Sequence, residues 1–255
     1  LKSLTSLIKM ISCCFNALKS IFLTVVFLKL NSDVSLSNKV VIAVLFAEEL
    51  IQRTATLFVF LKVRGALFKE RWSDLLKFVI GGILVALHWV TFFYAIKIST
   101  ISTTLITLSS SAFFVVIFKP FFERKKFEIY EMVLAIFTIL GFVIIFRSEQ
   151  LYTKGMLIAL VSAILIALFS LYNSKLIKSY TGTKIAFYEL FFAGIFLSVI
   201  LLFTNEFSID FFKLKGTDWI YLLILATICT AYPFVVATNL LKKMSPFTIV
   251  LTNNL

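Results

Sequence analysis

The sequence predicts an all-α integral membrane protein, and its composition and the spacing of its charges carry that prediction. The chain is 60% hydrophobic with a mean hydropathy of +1.02. Only 15% of its residues are charged, whereas soluble domains carry about 25%. The charges are bunched between apolar runs of about 18–22 residues, the length that a helix needs to cross a bilayer. The runs lack the period-two alternation of barrel strands, so we expect a bundle of helices.

Eight apolar runs and the start of a ninth are predicted to span the membrane. Because the gap between the third span and the fourth is very short, these two should form a tight helical hairpin. The predicted limits are 10–30, 40–61, 76–97, 100–119, 129–146, 155–174, 185–204, 218–241 and 246 onward.

The basic residues predict the orientation of these spans. Seventeen of them lie at the N-terminus or in the gaps after even-numbered spans, and seven lie in the other gaps. Cytoplasmic loops carry the excess of Lys and Arg, so the N-terminus is predicted to be cytoplasmic. The net charge of +12 is then explained by lysines that face anionic lipid, and no nucleic-acid partner is expected.

Little in the sequence favours catalysis or a cofactor. The three cysteines, Cys13, Cys14 and Cys229, all fall inside predicted spans and predict neither a disulfide nor a metal site. There is a single histidine, and no nucleotide-binding glycine loop or zinc motif is visible. We expect no cofactor and no enzyme activity.

Two stretches of the chain resemble each other at an offset of 144 residues. Residues 71–97 lie over 215–241, with Asp74 on Asp218 and His88 on Tyr232. This offset covers five spans, and an odd number inverts the second copy in the membrane, as in many secondary transporters. We therefore predict two inverted five-helix repeats, 1–147 and 148–255, the second incomplete, with about eight and a half of ten spans present.

Several segments resemble the EamA-type branch of the drug/metabolite transporter superfamily. The resemblance implies a ten-helix permease for a small organic metabolite, set in a bacterial inner membrane. In this subgroup a Glu-Pro pair usually stands where this chain has Lys119-Pro120, and we expect the chain to be truncated before its last helix. The segments are LVALHWVTFFYAIKIST (84–100), FKPFFERKKFEIYEMVLAIFTILGFVIIF (118–146), LFSLYNSKLIKSY (168–180), AFYELFFAG (186–194) and KKMSPFTIVLTNNL (242–255).

His88 is the first candidate for a substrate contact. It lies eleven residues, or about 16 Å along the helix, from Lys77, close to the midplane. Polar groups at that depth are costly and usually face a cavity or the bundle interior. Trp89 and Tyr94 lie nearby, and the resemblance implies that such groups line the cavity of aromatic amino acid exporters. The alternative is a packing histidine bonded to a neighbouring backbone or serine.

Three charged residues are candidates for a gate or a charge pair. Glu49 and Arg53 are four residues apart and share a helix face, so they either neutralise each other or contact a substrate carboxylate. Glu189 is either a gate or an interfacial carboxylate near Lys184.

The remaining candidates are polar or helix-bending residues inside the spans. Each polar one either lines a cavity or bonds across a helix interface, and each proline should kink its helix. The polar candidates are Thr107, Ser110, Tyr172, Asn173 and Tyr232, and the prolines are Pro120 and Pro233.

The sequence therefore favours a secondary carrier that exports or exchanges an amino acid or a related metabolite by alternating access. A non-transporting membrane protein is the main alternative, and a membrane-embedded enzyme is a weaker one. The partners implied are the substrate and the lipid bilayer. The residues leave the substrate, direction, coupling ion and oligomeric state open.

Overall fold

The computed structural model describes residues 71–123, 128–148, 152–203 and 232–254, and every regular element among them is helical. The predicted all-α class is confirmed. The helices are α1 (Trp72–Ile98), α2 (Ile101–Ser109), α3 (Ser111–Glu123), α4 (Ile129–Ser148), α5 (Thr153–Leu176), α6 (Gly182–Phe203), α7 (Tyr232–Leu240) and α8 (Pro246–Asn254).

Within the described ranges, four stretches are long and apolar enough to cross a membrane. They are Trp72–Ile98, Ile101–Glu123, Thr153–Leu176 and Gly182–Ile200. The helix α4 contributes a shorter apolar stretch, Ile129–Ile144. These stretches correspond in order to the third to seventh predicted spans, so the protein is an integral, multi-pass membrane protein. The first two predicted spans and most of the eighth lie outside the described residues.

The chain divides into two compact units, and one of them comprises Ile83–Thr181 and Thr238–Leu255. Its buried core is built around α5, whose inward face is lined by small side chains. Small residues let helices approach closely, and close packing rather than the hydrophobic effect drives helix association in lipid. The core residues are Ala112, Val115, Val116, Ala135, Ala167, Leu171, Phe247 and Val250.

The other unit comprises Leu1–Gly82 and Gly182–Ala237. In its described part, the first turns of α1 pack against α6. A Cβ at Gly82 would lie 2.8 Å from the backbone oxygen of Glu189 and 2.9 Å from the Cβ of Phe192. One turn away, the rings of Phe78 and Tyr188 stack with centroids 5.0 Å apart. Glycine at position 82 is therefore what allows the two backbones to approach.

The fourth predicted span is not one continuous helix, because it is interrupted at Ser110. The Ser110 amide donates to the carbonyl of Thr107 over 3.1 Å, a one-turn bond tighter than that of an α-helix. The Ser110 hydroxyl donates to the same carbonyl over 2.7 Å, and the Thr107 hydroxyl donates to the Thr103 carbonyl over 2.8 Å. Hydroxyls bonded back to carbonyls in this way bend helices. Pro120, a predicted kink, lies within α3 beyond this interruption.

Each compact unit is defined by packing and combines separate stretches of the chain. The predicted repeats, in contrast, are consecutive parts of the sequence, so the compact units do not test them. The boundary at residue 147 therefore remains a prediction.

Candidate functional site

A buried polar pair lies between α1 and α5, two helices that are otherwise apolar at this level. His88 is 7% exposed and Ser162 is fully buried. The His88 Nδ1 lies 3.0 Å from the carbonyl oxygen of Ser162 and 2.8 Å from its hydroxyl oxygen. The Ser162 hydroxyl also lies 2.9 Å from the His88 carbonyl oxygen, to which it can donate. Three short contacts therefore join one histidine to one serine across the helix interface.

The pair lies near the middle of the membrane-crossing helices. His88 is ten residues before the end of α1 and Ser110 is nine residues after the start of α2, so both lie about 15 Å from the hairpin that joins these helices. A Cβ on Gly155 would collide with Ser99 of that hairpin, so α5 starts at the same end. Ser162 follows seven residues later, about 10 Å deeper. We call His88, Ser110 and Ser162 the mid-depth polar layer.

Aromatic and small apolar side chains surround this layer. The Phe92 ring stacks on the His88 ring, with centroids 6.0 Å apart and an angle of 26° between their planes. Phe92 itself belongs to a buried cluster with Leu108 and Ala163, which brings α1, α2 and α5 together. The layer is thus shielded from lipid, and its hydrogen bonds act in a low dielectric.

The other predicted cavity residues fall at several places. Thr107 is buried one turn from Ser110, and Trp89 is partly buried beside His88. Tyr94 is half exposed. Tyr172 and Asn173 lie on α5, about 15 Å beyond Ser162, with Asn173 buried. Their roles as cavity residues remain predictions.

Tyr232 and Glu189 lie in the other compact unit. Tyr232 is mostly exposed and Glu189 is completely buried. The Glu189 carboxylate occupies the space that a Cβ at Gly81 would fill, so this glycine makes room for the charge. Glu189 therefore lies inside the helix packing, and its role as a gate remains a prediction.

Three predicted residues lie outside the described ranges or at their edge. Glu49 and Arg53 lie outside the described residues. Pro233 is the second residue of α7, and the residues that precede this helix also lie outside the described ranges.

A buried charge cluster joins α3, α4 and the residue before α8, and it was not predicted from the sequence. The Lys119 ammonium lies 2.7 Å from the Glu131 carboxylate and 3.2 Å from that of Glu128. The Ser245 hydroxyl donates to Glu131 over 2.8 Å and accepts from the Thr248 amide over 3.2 Å, which caps the start of α8. The lysine that replaces the glutamate of the Glu-Pro pair thus meets an acidic partner.

Two signals in the sequence could have indicated these partners. Glu131 is the only acidic residue in the fifth predicted span, and Ser162 is the only polar residue between Met156 and Phe169. A lone polar group in an apolar helix needs a partner. The sequence alone did not identify either partner, because Lys119 lies twelve residues from Glu131 and His88 lies 74 residues from Ser162.

The mid-depth polar layer offers hydrogen bonds and aromatic faces. In the part of the chain that the structure describes, no group of three or more His, Cys, Asp or Glu side chains could hold a metal ion.

Apolar crossing helices around a buried polar layer define a multi-pass membrane protein. The sequence model of the EamA-like transporter family matches residues 153–255. For these residues the predicted EamA type, within the drug/metabolite transporter superfamily, is confirmed. A membrane transporter of this kind implies a small-molecule substrate and a bilayer.

A solved structure shares the fold of the chain. It is titled "Crystal structure of protein", with a TM-score of 0.67 and 15% sequence identity over 98% of this chain and 84% of that one. At this identity the likeness concerns the fold alone. No curated protein matches the sequence.

Proposed function

We propose that the protein is a secondary carrier that moves an amino acid or a related small metabolite by alternating access. The observation that carries the proposal is the His88–Ser162 pair, buried near mid-depth between apolar helices. Polar groups at this depth are costly, and in membrane proteins they mark substrate and ion pathways. The match of residues 153–255 to a transporter family supports the same conclusion.

In this proposal the substrate occupies a cavity bordered by the mid-depth polar layer. His88 supplies a hydrogen bond, and Trp89, Tyr94 and Thr107 supply aromatic and hydroxyl contacts. Tyr172, Asn173 and Tyr232 remain candidates for further substrate contacts. Glu189, with Glu49 and Arg53, controls access as a gate. Movement of two inverted repeats, 1–147 and 148–255, opens the cavity to each side in turn.

The proposed setting is a bacterial inner membrane with the N-terminus in the cytoplasm. The excess of basic residues on the side of the N-terminus supports this orientation. Export or exchange is the proposed direction of transport.

The proposal is tested with the purified chain reconstituted in liposomes. Vesicles loaded with unlabelled amino acids should accumulate labelled amino acid by exchange, and protein-free vesicles should not. Competition by a panel that includes aromatic amino acids identifies the substrate. Absence of exchange for every compound, in protein shown to be folded, would contradict the proposal.

A labelling experiment then places the site. His88→Cys is made in a background without Cys13, Cys14 and Cys229, and a water-soluble thiol reagent is applied to both membrane faces. We expect labelling that the transported compound suppresses. Leu140→Cys, on the exposed apolar face of α4, is the matched control and should not react. Lack of reaction at position 88 from both sides would make His88 a packing residue.

A further inference from the structure

We propose that Glu131 is a latch. Its buried carboxylate ties the start of α4 to the end of α3 and to the residue before α8, and this tie opens and closes at the predicted cytoplasmic end during transport. The latch rests on the proposed function and regulates access in that same carrier. The groups that form it are Glu131, Lys119 and Ser245.

The two oxygen atoms of the Glu131 carboxylate bind partners from different parts of the chain. Oε2 lies 2.7 Å from the Lys119 ammonium near the end of α3. Oε1 accepts a hydrogen bond from the Ser245 hydroxyl over 2.8 Å and from the neighbouring Tyr130 hydroxyl over 3.3 Å. Glu131 is 1% exposed and Lys119 is 5% exposed, so these contacts act in a low dielectric. One carboxylate therefore holds α3, α4 and the start of α8 together.

The helix α4 has little other burial to hold it in place. Its side chains Ile136, Phe137, Leu140 and Ile144 are between 49% and 69% exposed. Its member of the buried core is Ala135, whereas the other members lie on α3, α5 and α8. Movement of α4 away from α8 at its start therefore leaves most of this core packed. Such a movement has to break the buried polar contacts of the latch.

The start of α8 can part from Glu131 and remain helical. The Ser245 hydroxyl oxygen also accepts from the Thr248 amide over 3.2 Å, and so it caps α8. Thr100 caps α2 in the same way through the Thr103 amide over 3.1 Å, and its hydroxyl contacts the Thr103 hydroxyl at 2.6 Å. The cap of α2 forms with a hydroxyl beside it, so a cap of this kind does not need a bond to a carboxylate. The bond from Ser245 to Glu131 is therefore additional to the cap.

The latch lies at the predicted cytoplasmic end of the helices. Lys119 borders the gap after the fourth predicted span, and Ser245 lies in the gap after the eighth. The basic residues predict that both gaps are cytoplasmic. Because Lys119 and Ser245 meet at one carboxylate, the two gaps lie on the same side, in agreement with that prediction. A charge-assisted bond of this kind should favour the closed state by roughly ten- to hundredfold.

The opening is measured with two spin labels placed across the latch. In the background without the three native cysteines, Ile129→Cys and Lys242→Cys provide exposed positions beside Glu131 and Ser245. We expect one short distance to dominate in lipid. Ser245→Ala removes the bond to Glu131, and a longer distance should then gain roughly tenfold in population relative to the short one.

Thr100→Ala is the matched control, because it removes a cap of the same geometry and leaves the latch intact. It should leave the distance between positions 129 and 242 unchanged. Ser245→Thr keeps the hydroxyl and should also leave this distance unchanged. If Ser245→Ala shifts the distance no more than Thr100→Ala does, the latch is overturned.

The link between the latch and transport is tested by locking it. A cleavable thiol linker joins positions 129 and 242, and its length is chosen to match the short distance between the spin labels. We expect the linker to stop exchange of labelled amino acid and its cleavage to restore exchange. The same linker between Lys175→Cys and Lys178→Cys, both exposed near one end of α5, should leave exchange unchanged. A role of Glu131 in stability alone would not make exchange depend on the linker.

Failure of the latch can be told apart from failure of the carrier proposal. Exchange that continues with positions 129 and 242 linked would overturn the latch and leave the carrier standing. If no compound is exchanged without the linker, but Ser245→Ala lengthens the distance and Thr100→Ala does not, the opening is supported and the carrier proposal fails. If neither exchange nor a change in distance is seen, both fail.

Discussion

At the scale of single residues, replacing a glycine by alanine should affect stability differently in α1 and in α4. A Cβ at Gly82 would meet backbone atoms of α6, including the Ala193 nitrogen at 3.0 Å, whereas nothing lies within 4 Å of a Cβ at Gly141. Gly82→Ala should therefore force the two helices apart and lower the thermal stability. Gly141→Ala should leave stability unchanged or raise it by up to about 1 kcal/mol, because alanine favours helix. Thermal unfolding of both variants in detergent tests this prediction, and equal unfolding temperatures for the two variants would contradict it.

The two glutamates that contact Lys119, Glu131 and Glu128, should differ in how much they contribute to stability. The side chains of Lys119 and Glu131 are almost fully buried, whereas that of Glu128 is 45% exposed. Glu131→Gln leaves the Lys119 ammonium without its closest countercharge, and we expect a loss of about 3 kcal/mol in the free energy of unfolding. Glu128→Gln removes an exposed contact and should cost less than about 1 kcal/mol.

A double variant separates the charge from the packing of this pair. Replacing both partners by apolar residues of similar size, Lys119→Met with Glu131→Leu, should recover most of the stability lost in Glu131→Gln. Denaturant titration of the three variants measures the differences. A double variant as unstable as Glu131→Gln would show that the cluster stabilises the fold by something other than matched charge.

From the sequence, Lys119 is a residue that sets orientation and a departure from the Glu-Pro pattern. Its partners could not be predicted, because Glu131 and Ser245 come from different helices and their meeting depends on packing. His88 is similar. Its depth follows from the rise of a helix, whereas its contact with Ser162 depends on how α1 and α5 pack.

At the scale of helices, the bounds could be predicted well because hydropathy changes sharply at each span end. The third predicted span, 76–97, corresponds to Trp72–Ile98, and the sixth, 155–174, corresponds to Thr153–Leu176. The interruption at Ser110 was not predicted. The serine and threonine hydroxyls around it count as mildly polar in any hydropathy reading, although their bonds to the preceding carbonyls are what divide the span.

The start of α2 supplies a prediction at this scale. Thr100 is extended, and its hydroxyl oxygen accepts from the Thr103 amide over 3.1 Å, so it caps the helix just after the tight hairpin. Thr100→Ala should cost about 1 kcal/mol in the free energy of unfolding because an amide loses its acceptor. Thr100→Ser keeps the acceptor and should cost little. Thermal unfolding measures both variants. If Thr100→Ser is destabilised as much as Thr100→Ala, the capping role of Thr100 is contradicted.

At the scale of the whole molecule, apolar helices enclose polar contacts at two depths. The contact of His88 with Ser162 lies near the midplane, and the cluster of Lys119 with Glu131 lies where α3 ends and α4 begins. Each is buried and each joins different helices. Lipid offers no water to polar groups, so such contacts also fix which helices can be neighbours.

Orientation in the membrane is the last prediction, and the two ends of α5 test it within one helix. Lys154 and Thr181 are both exposed and lie at opposite ends of this 24-residue helix, which is about 36 Å long. Lys175, Lys178 and Lys184 flank the Thr181 end, so this end should be cytoplasmic.

In a background without Cys13, Cys14 and Cys229, Lys154→Cys should react with an impermeant thiol reagent in intact cells. Thr181→Cys should react only in inside-out vesicles. Reaction of both from one side would contradict a crossing by α5, and exchanged sides would invert the orientation while leaving the helix across the membrane.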